Sequence, residues 1–189
     1  MPQTASTHSL TSPSRAVFVE YFGLAAVVTA ADLLSKYVAV ETLGVGGIEP
    51  LFNRLSLLVT FNKGVVGGAT IGAYTLPLNV LVTTVAVMLI SFIVQQLAAV
   101  DPRATRALAF VLGGALGNMA SMLFGPDGVA DFLAVRLSND TTIVMNVADA
   151  ALWAGALLLL PVVVRLARAV RAERRAALPT AALTRIAER

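Results

Sequence analysis

Four long apolar stretches dominate this chain of 189 residues and limit what it can fold into. They cover roughly residues 17–40, 76–100, 108–124 and 143–164. Each is close to the ~20 apolar residues that an α-helix needs to cross the hydrocarbon core of a membrane. Hydrophobic residues make up 57% of the chain and charged residues only 13%, which excludes an ordinary soluble domain. The sequence therefore predicts an all-α membrane protein with four transmembrane helices.

The basic residues are distributed unequally between the two sides of these helices. Ten of the fourteen lie before the first stretch, between the second and third, or after the fourth. The other four are Arg54, Lys63 and Arg136, with Lys36 near the membrane edge. Because basic loops stay in the cytoplasm, both termini are predicted to be cytoplasmic, with residues 41–75 and 125–142 outside. The first stretch runs into DLLSK instead of a soluble domain, which argues against a cleaved signal peptide.

The segments outside the helices carry weaker patterns. LSLLVTFN, at residues 55–62, alternates in the manner of a strand, and glycines punctuate its surroundings. It predicts a small sheet in region 41–75 that, together with the outer loop at 125–142, caps the helices. Residues 1–15 are rich in Ser, Thr and Pro and are predicted to be disordered. Residues 169–189 form a basic tail beyond the membrane domain at 16–168, either an amphipathic helix on the inner leaflet or a frayed segment.

Ionisable side chains inside a membrane are costly and usually have a function. Asp32 and Lys36 are four residues apart, so on a helix they share a face and can neutralise each other. Two interpretations stay open for this pair, a functional site and an interfacial ion pair that anchors the end of the helix.

The third stretch contains the segment GGALGNMASM at residues 113–122. Gly113 and Gly117 have the GxxxG spacing that lets two helix backbones approach closely. Gly114, Asn118 and Ser121 lie on one stripe of the same helix. Close packing accounts for the glycines, but an amide in the membrane requires hydrogen-bond partners, so Asn118 is a candidate site residue.

The fourth stretch begins NVADAALW, in which Asn146, Asp149 and Trp153 share a helix face. No lysine or arginine lies near Asp149 in the sequence. A carboxylate there is costly, which favours a functional role for Asp149. The structural alternative is a single carboxylic acid that is hydrogen-bonded across the bundle.

Five motifs in order resemble those of signal peptidase II, the lipoprotein signal peptidase family. They are DLLSK (32–36), the Asn-x-Gly of FNKG (62–64), GGALGN (113–118), GVADF (128–132) and NVADAA (146–151). The resemblance implies four transmembrane helices with both termini inside, a small extracytoplasmic β-cradle, and an outer loop that contains a short helix. It also implies an aspartic peptidase that cuts signal peptides from diacylglyceryl-modified prolipoproteins.

The resemblance also implies roles for individual residues. Asp149 matches a catalytic aspartate in NxAD. Ser121 and Met122 stand where a GGALGNxxDR pattern has the other aspartate and an arginine, and Asp131 matches an aspartate to which we assign a supporting role. Phe61 replaces an arginine before the cradle asparagine. The predicted substrate or lipid groove contains Asn62, Gly64, Asn118, Asn146, Asp131, Asp32 and Lys36.

A serine hydroxyl cannot share a proton with Asp149 as a second carboxyl group would. The sequence therefore predicts a non-proteolytic relative that binds a membrane lipid, a lipidated peptide or a partner's transmembrane helix in a bacterial cytoplasmic membrane, alone or as a subunit of a membrane complex. The alternative is an active, divergent aspartic endopeptidase in which Asp127 replaces the missing acid. A Ser121 nucleophile would need Lys36 within reach as its base. Nothing in the sequence indicates a metal ion, a cofactor or a nucleic-acid partner.

Overall fold

The computed structural model describes residues 15–63, 70–125, 127–138 and 140–187. Its helices are α1 (Arg15–Leu43), α2 (Thr75–Val100), α3 (Arg103–Phe124) and α4 (Val147–Ala187), and a 3₁₀ turn, Gly72–Tyr74, precedes α2. Its strands are β1 (Ile48–Phe52), β2 (Leu55–Asn62), β3 (Val129–Arg136) and β4 (Thr142–Met145). Four helical segments are long and apolar enough to cross a membrane, which confirms the predicted spans. The predicted disorder of residues 1–15 falls, except for Arg15, outside the described residues.

Helix α3 forms the centre of the bundle, because it contacts each of the other three helices. Its inner face packs Leu108 and Leu112 against Tyr21 and Ala25 of α1 and Val94 of α2. In contrast, α2 lies at the periphery, with only Thr75 and Val94 buried. Most of the other side chains of α2 are apolar and none is charged, so its outer surface is suited to contact lipid.

Glycines allow α3 to approach its neighbours closely, as the GxxxG spacing predicted. A Cβ atom at Gly113 would lie 2.6 Å from Val28 Cβ and 2.7 Å from the Ala25 carbonyl oxygen of α1. A Cβ atom at Gly114 would lie 2.5 Å from the Ala148 carbonyl oxygen of α4. Neighbouring positions of one helix therefore serve two different interfaces.

The change Gly113→Ala is expected to lower the free energy of unfolding by about 1–3 kcal/mol, because its methyl group meets backbone that cannot move cheaply. Gly23→Ala in α1 is a matched control, since a Cβ atom there has nothing within 4 Å. The control should raise stability slightly through its helix propensity. Equal thermal unfolding midpoints for the two variants in detergent would contradict the close-packing explanation.

The four strands form one antiparallel sheet in the order β1-β2-β3-β4. It lies at the end of the bundle where α1 ends and α4 begins. The small sheet is thus confirmed, but the helix implied for the outer loop at 125–142 is wrong for the described residues. That segment forms β3 and the start of β4, because VADFLAVR pairs with β2 along most of its length.

Two boundaries also differ from the sequence analysis. Residues 143–145 belong to β4, and the fourth helix begins only at Val147, after Asn146. The basic tail is helical through Ala187, because α4 runs on for 41 residues, while its location on the inner leaflet stays a prediction. At 1.5 Å per residue this helix is about 60 Å long, roughly twice the hydrocarbon thickness of a bilayer. The cytoplasmic location of the termini stays a prediction.

Candidate active site

The first turn of α4 is closed by a reciprocal pair of hydrogen bonds. The Asp149 backbone N–H donates to Asn146 Oδ1 at 2.9 Å, and the Asn146 backbone N–H donates to Asp149 Oδ2 at 3.1 Å. This is a capping box, in which residues three apart satisfy each other's free N–H groups. The carboxyl group of Asp149 therefore lies in a fixed position at the positive end of the helix dipole.

Asp131 lies on β3 and meets the same asparagine. Asn146 Nδ2 donates to Asp131 Oδ1 at 2.6 Å, and Asn62 forms a further hydrogen bond with Asp131. Burial raises the pKa of Asp131 from 3.8 to about 6, and the negative charge of Asp149 acts in the same direction. The hydrogen bonds from the two asparagines and the charge of Lys36 oppose this increase in pKa.

Both carboxyl groups face open space. A groove of about 1140 Å³, here called the sheet-side groove, contains Asp131 and Asp149 in its wall. The rest of that wall comes from the end of β2, the whole of β4, Leu152 and Trp153 of α4, and Lys63 and Thr70 from the segment after β2. A second space of about 330 Å³, the helix-side cavity, extends between α2, α3 and α4 and has the same two carboxyl groups in its wall.

A buried network lies behind Asp149. Lys36 Nζ donates to Asp32 Oδ2 at 2.7 Å, to Asn118 Oδ1 at 2.8 Å and to Ser121 Oγ at 3.1 Å. Asn118 Nδ2 in turn donates to Asp149 Oδ1 at 2.9 Å. The DLLSK motif of α1 and the GGALGN motif of α3 are thus joined by hydrogen bonds, and Asn118 binds the second oxygen of Asp149.

Asp32 is fully buried and links α1 to the start of α4. Its Oδ2 accepts from Lys36, and its Oδ1 accepts the backbone N–H of Ala148 at 2.8 Å. The absence of a side chain at Gly117 makes room for this carboxylate, because a Cβ atom there would lie 2.5 Å from Asp32 Oδ2. Asp32 and Lys36 thus form a buried ion pair that contacts the candidate site through Asn118, and its functional role stays a prediction.

Lys36 does reach Ser121, as a serine nucleophile would require, but the hydrogen bonds point the wrong way. An ammonium group has three protons, and here three acceptors receive them. The Ser121 hydroxyl donates to the Gly117 carbonyl oxygen at 2.9 Å. Lys36 therefore acts as a donor to Ser121 and has no free lone pair with which to remove its proton.

The structure brings together most of the predicted site residues. Asn62, Asp131 and Asp149 line both spaces, Asn118 and Asn146 line the helix-side cavity, and Asp32, Lys36 and Ser121 lie behind them. Gly64 falls outside the described residues. No group of three or more metal-binding side chains occurs in the described part of the chain.

Two acids named in the sequence analysis can now be placed relative to Asp149. Asp149 was expected to lack its carboxylate partner, and the structure places Asp131 beside it, since both acids bond to Asn146 and face the same groove. The signal for it was the GVADF motif itself, which we had treated as part of a supporting loop. Asp127, the suggested substitute acid, lines a neighbouring hollow with Val45, which shares Lys63 with the sheet-side groove but does not contain Asp149.

Comparisons with known proteins agree with this architecture. The model of the family described as signal peptidase (SPase) II matches residues 24–165. The lipoprotein signal peptidase of Geobacillus thermodenitrificans is 31% identical over 142 residues, which is 75% of this chain and 87% of that protein. The lipoprotein signal peptidase of Geobacillus kaustophilus is 29% identical over 140 residues, or 74% and 89% of the two chains.

Solved structures with the same fold are more distant in sequence. A bacterial membrane enzyme determined by the in meso method at 2.3 Å superposes with a TM-score of 0.67 at 20% identity, covering 75% of this chain and 85% of the other. A second, determined at 1.9 Å, gives a TM-score of 0.65 at 21% identity, covering 74% and 89%. Because the family model matches most of this chain, the chain belongs to the signal peptidase II family.

Proposed function

We propose that this chain is an aspartic endopeptidase that removes signal peptides from lipidated prolipoproteins, with Asp131 and Asp149 as its reacting pair. One observation carries the proposal. Two carboxyl groups from different elements, β3 and α4, are held by the same asparagine, Asn146, and face the same groove. Two carboxyl groups that share one proton are the usual equipment for hydrolysing a peptide bond by acid–base catalysis.

The environments of the two acids support different roles. Each oxygen of Asp149 accepts one N–H bond, so this group suits the part of the carboxylate that removes a proton from the attacking water. Asp131, with its pKa raised to about 6, suits the part of the acid that protonates the carbonyl oxygen of the scissile bond. The water oxygen bonds to the carbonyl carbon and gives a tetrahedral gem-diol. Its collapse breaks the C–N bond as the amine takes the proton held by Asp149, and Asp131 takes back its proton from a gem-diol hydroxyl.

The two spaces beside the pair fit the two parts of such a substrate. The helix-side cavity is lined largely by apolar side chains of the membrane helices, among them Val82, Val111 and Met119. It suits an apolar signal segment or acyl chains. The sheet-side groove adds polar groups such as Thr60 and Thr142 and suits the peptide backbone at the membrane surface. The names of the relatives support a lipoprotein as substrate.

A non-proteolytic protein that binds a lipid or a partner's helix is the second candidate function. The observations that favour it are Ser121 and Met122, which replace charged residues of the family pattern, and Phe61, which lines the sheet-side groove where an arginine was expected. If the protein is a peptidase, these substitutions change which substrates it accepts and the charge around the two acids. If it is a binding protein, they accompany the loss of peptide-bond cleavage.

The experiment is a cleavage assay with the purified protein in proteoliposomes and a diacylglyceryl-modified prolipoprotein. We expect a product shorter by the signal peptide, identified by mass spectrometry, while the same precursor without its lipid stays largely intact. An uncut lipidated precursor, together with a co-purified lipid or lipopeptide in stoichiometric amount, would contradict the peptidase proposal and support the second candidate.

The pKa of Asp131 sets the expected pH dependence. As the pH rises through about 6, Asp131 loses its proton, and the cleavage rate should fall. The raised pKa also means that the folded protein binds a proton which the unfolded chain releases. Its contribution to the free energy of unfolding is complete below pH 3.8 and is lost as the pH rises through about 6. A cleavage rate that increases steadily from about pH 5 to about pH 7, one unit either side of the pKa of Asp131, would contradict the role assigned to that residue.

A further inference from the structure

We infer that Lys36 is a positioning residue for the carboxylate pair and that Ser121, as its neutral partner, sets the pH range over which the pair works. The inference rests on the proposed function, because it assigns a role within the same site. It concerns residues that lie behind the groove and contact the reacting atoms only through Asn118.

The positioning role follows from the two ends of the Asn118 amide. Its Oδ1 accepts from Lys36 at 2.8 Å, and its Nδ2 donates to Asp149 at 2.9 Å. Because an ammonium group can only donate, it fixes which end of the amide faces α1. Without Lys36 the amide is free to rotate and present its oxygen to the Asp149 carboxylate, which would repel that group and displace it.

The residues around the Lys36 ammonium determine how much of its charge acts on the pair. Asp32 on α1 pairs with it directly, Asp131 on β3 and Asp149 on α4 attract it from further away, and α3 supplies the neutral Asn118 and Ser121. Residues 75–100, which form α2, contain no Asp, Glu, Lys or Arg. The ammonium is therefore in direct contact with a single carboxylate.

The residue at position 121 is where this chain departs from the pattern GGALGNxxDR. An aspartate there would lie where Ser121 Oγ now accepts from Lys36 at 3.1 Å, so the ammonium would contact two carboxylates. Ser121 leaves more of the positive charge of Lys36 to act on Asp131 and Asp149. A positive charge favours the ionised form of a nearby carboxyl group, so Ser121 shifts the working range of the pair towards lower pH.

The test compares Ser121→Asp with Ser121→Asn, two side chains of nearly equal size that differ in charge. Ser121→Asp should move the alkaline limb of the cleavage rate to higher pH by about 0.5–1 unit, because a nearby negative charge raises the pKa of Asp131. Ser121→Asn should leave that limb within about 0.2 units of the unmodified protein. The titration of Asp131, followed by ¹³C NMR of labelled carboxyl groups, should move in parallel and does not require cleavage.

The positioning role is tested by Lys36→Met and Lys36→Arg. Lys36→Met should lower kcat by about 10–100-fold with KM nearly unchanged, because the substrate groove is intact while Asp149 is misplaced. Lys36→Arg, which keeps a donor and a charge, should recover part of kcat. Since Lys36→Met leaves Asp32 buried and unpaired, the double variant Lys36→Met/Asp32→Asn provides a folded form for the same measurement.

The outcomes separate this inference from the proposed function. If the unmodified protein cleaves but Ser121→Asp and Ser121→Asn share one pH profile and one Asp131 titration, the charge role of Ser121 is wrong and the peptidase proposal stands. If the unmodified protein does not cleave but only Ser121→Asp shifts the Asp131 titration, the peptidase proposal is wrong and the electrostatic coupling stands. A loss confined to KM in the folded Lys36 variants would overturn the positioning role.

Discussion

Changing either Asp131 or Asp149 to asparagine is expected to reduce the cleavage of a lipidated prolipoprotein by at least about 10⁴-fold. Asp149→Asn removes the group that activates water, and Asp131→Asn removes the group that protonates the carbonyl oxygen, so each variant lacks one step that the reaction requires. The measurement is the rate of product formation at saturating substrate, followed by mass spectrometry. Binding of the precursor should persist, because both groove walls are otherwise unchanged.

The chain offers a matched control for these two variants. Asp127→Asn makes the same chemical change on the same side of the molecule, but in the neighbouring hollow lined by Val45, which contains neither Asp131 nor Asp149. Its rate should stay within about twofold of the unmodified protein, as for a surface change away from the site. Asparagine at 149 can still accept the Asn146 N–H through its amide oxygen, so helix α4 should begin as before. Full activity in Asp131→Asn, or equal loss in Asp127→Asn, would remove the basis of the proposed pair.

The change Asn146→Ala should affect both stability and activity, because one buried side chain serves two purposes. Loss of the N-cap acceptor is expected to cost about 1 kcal/mol, and loss of the donor to a buried carboxyl group a further 1–3 kcal/mol. We therefore expect the free energy of unfolding to fall by about 2–4 kcal/mol and the cleavage rate to fall at least 10²-fold. Chemical denaturation in mixed micelles and the cleavage assay measure the two effects.

Asn146→Ser separates the two purposes. A serine hydroxyl is a good N-cap acceptor, so the start of α4 should recover most of its stability relative to Asn146→Ala. The hydroxyl is too short to replace the 2.6 Å bond from Nδ2 to Asp131 Oδ1, so activity should stay low. If serine restored activity together with stability, the contact between Asn146 and Asp131 would have no role beyond helix capping.

The membrane helices were predictable because their signal is local. About 20 consecutive apolar residues specify a span wherever they occur, and GxxxG specifies a close contact without naming the partner. The spacing of Asp32 and Lys36 likewise predicted their ion pair. In contrast, the link from Lys36 to Asn118 depends on how α1 packs against α3, and nothing in either segment alone encodes that orientation.

The partner of Asp149 escaped prediction for a similar reason. In the sequence Asp131 belongs to a loop of uncertain structure, and its side of the strand is decided by pairing between β2 and β3. There Asp131 lies opposite Thr60. A shift of one residue in that pairing would turn the carboxyl group to the other face of the sheet. Long-range strand register is not visible in local composition, so the motif was recognised while its position relative to Asp149 was not.

The capping box at the start of α4 makes the two proposed catalytic acids depend on the most easily frayed part of a helix. If the first turn unwinds, Asn146 releases Asp149 and Asp131 together, although the remaining length of α4 stays wound against α3. Brief melting of one turn would thus switch the protein off reversibly, well before the bundle comes apart. On heating, catalysis should disappear at a lower temperature than helical circular dichroism.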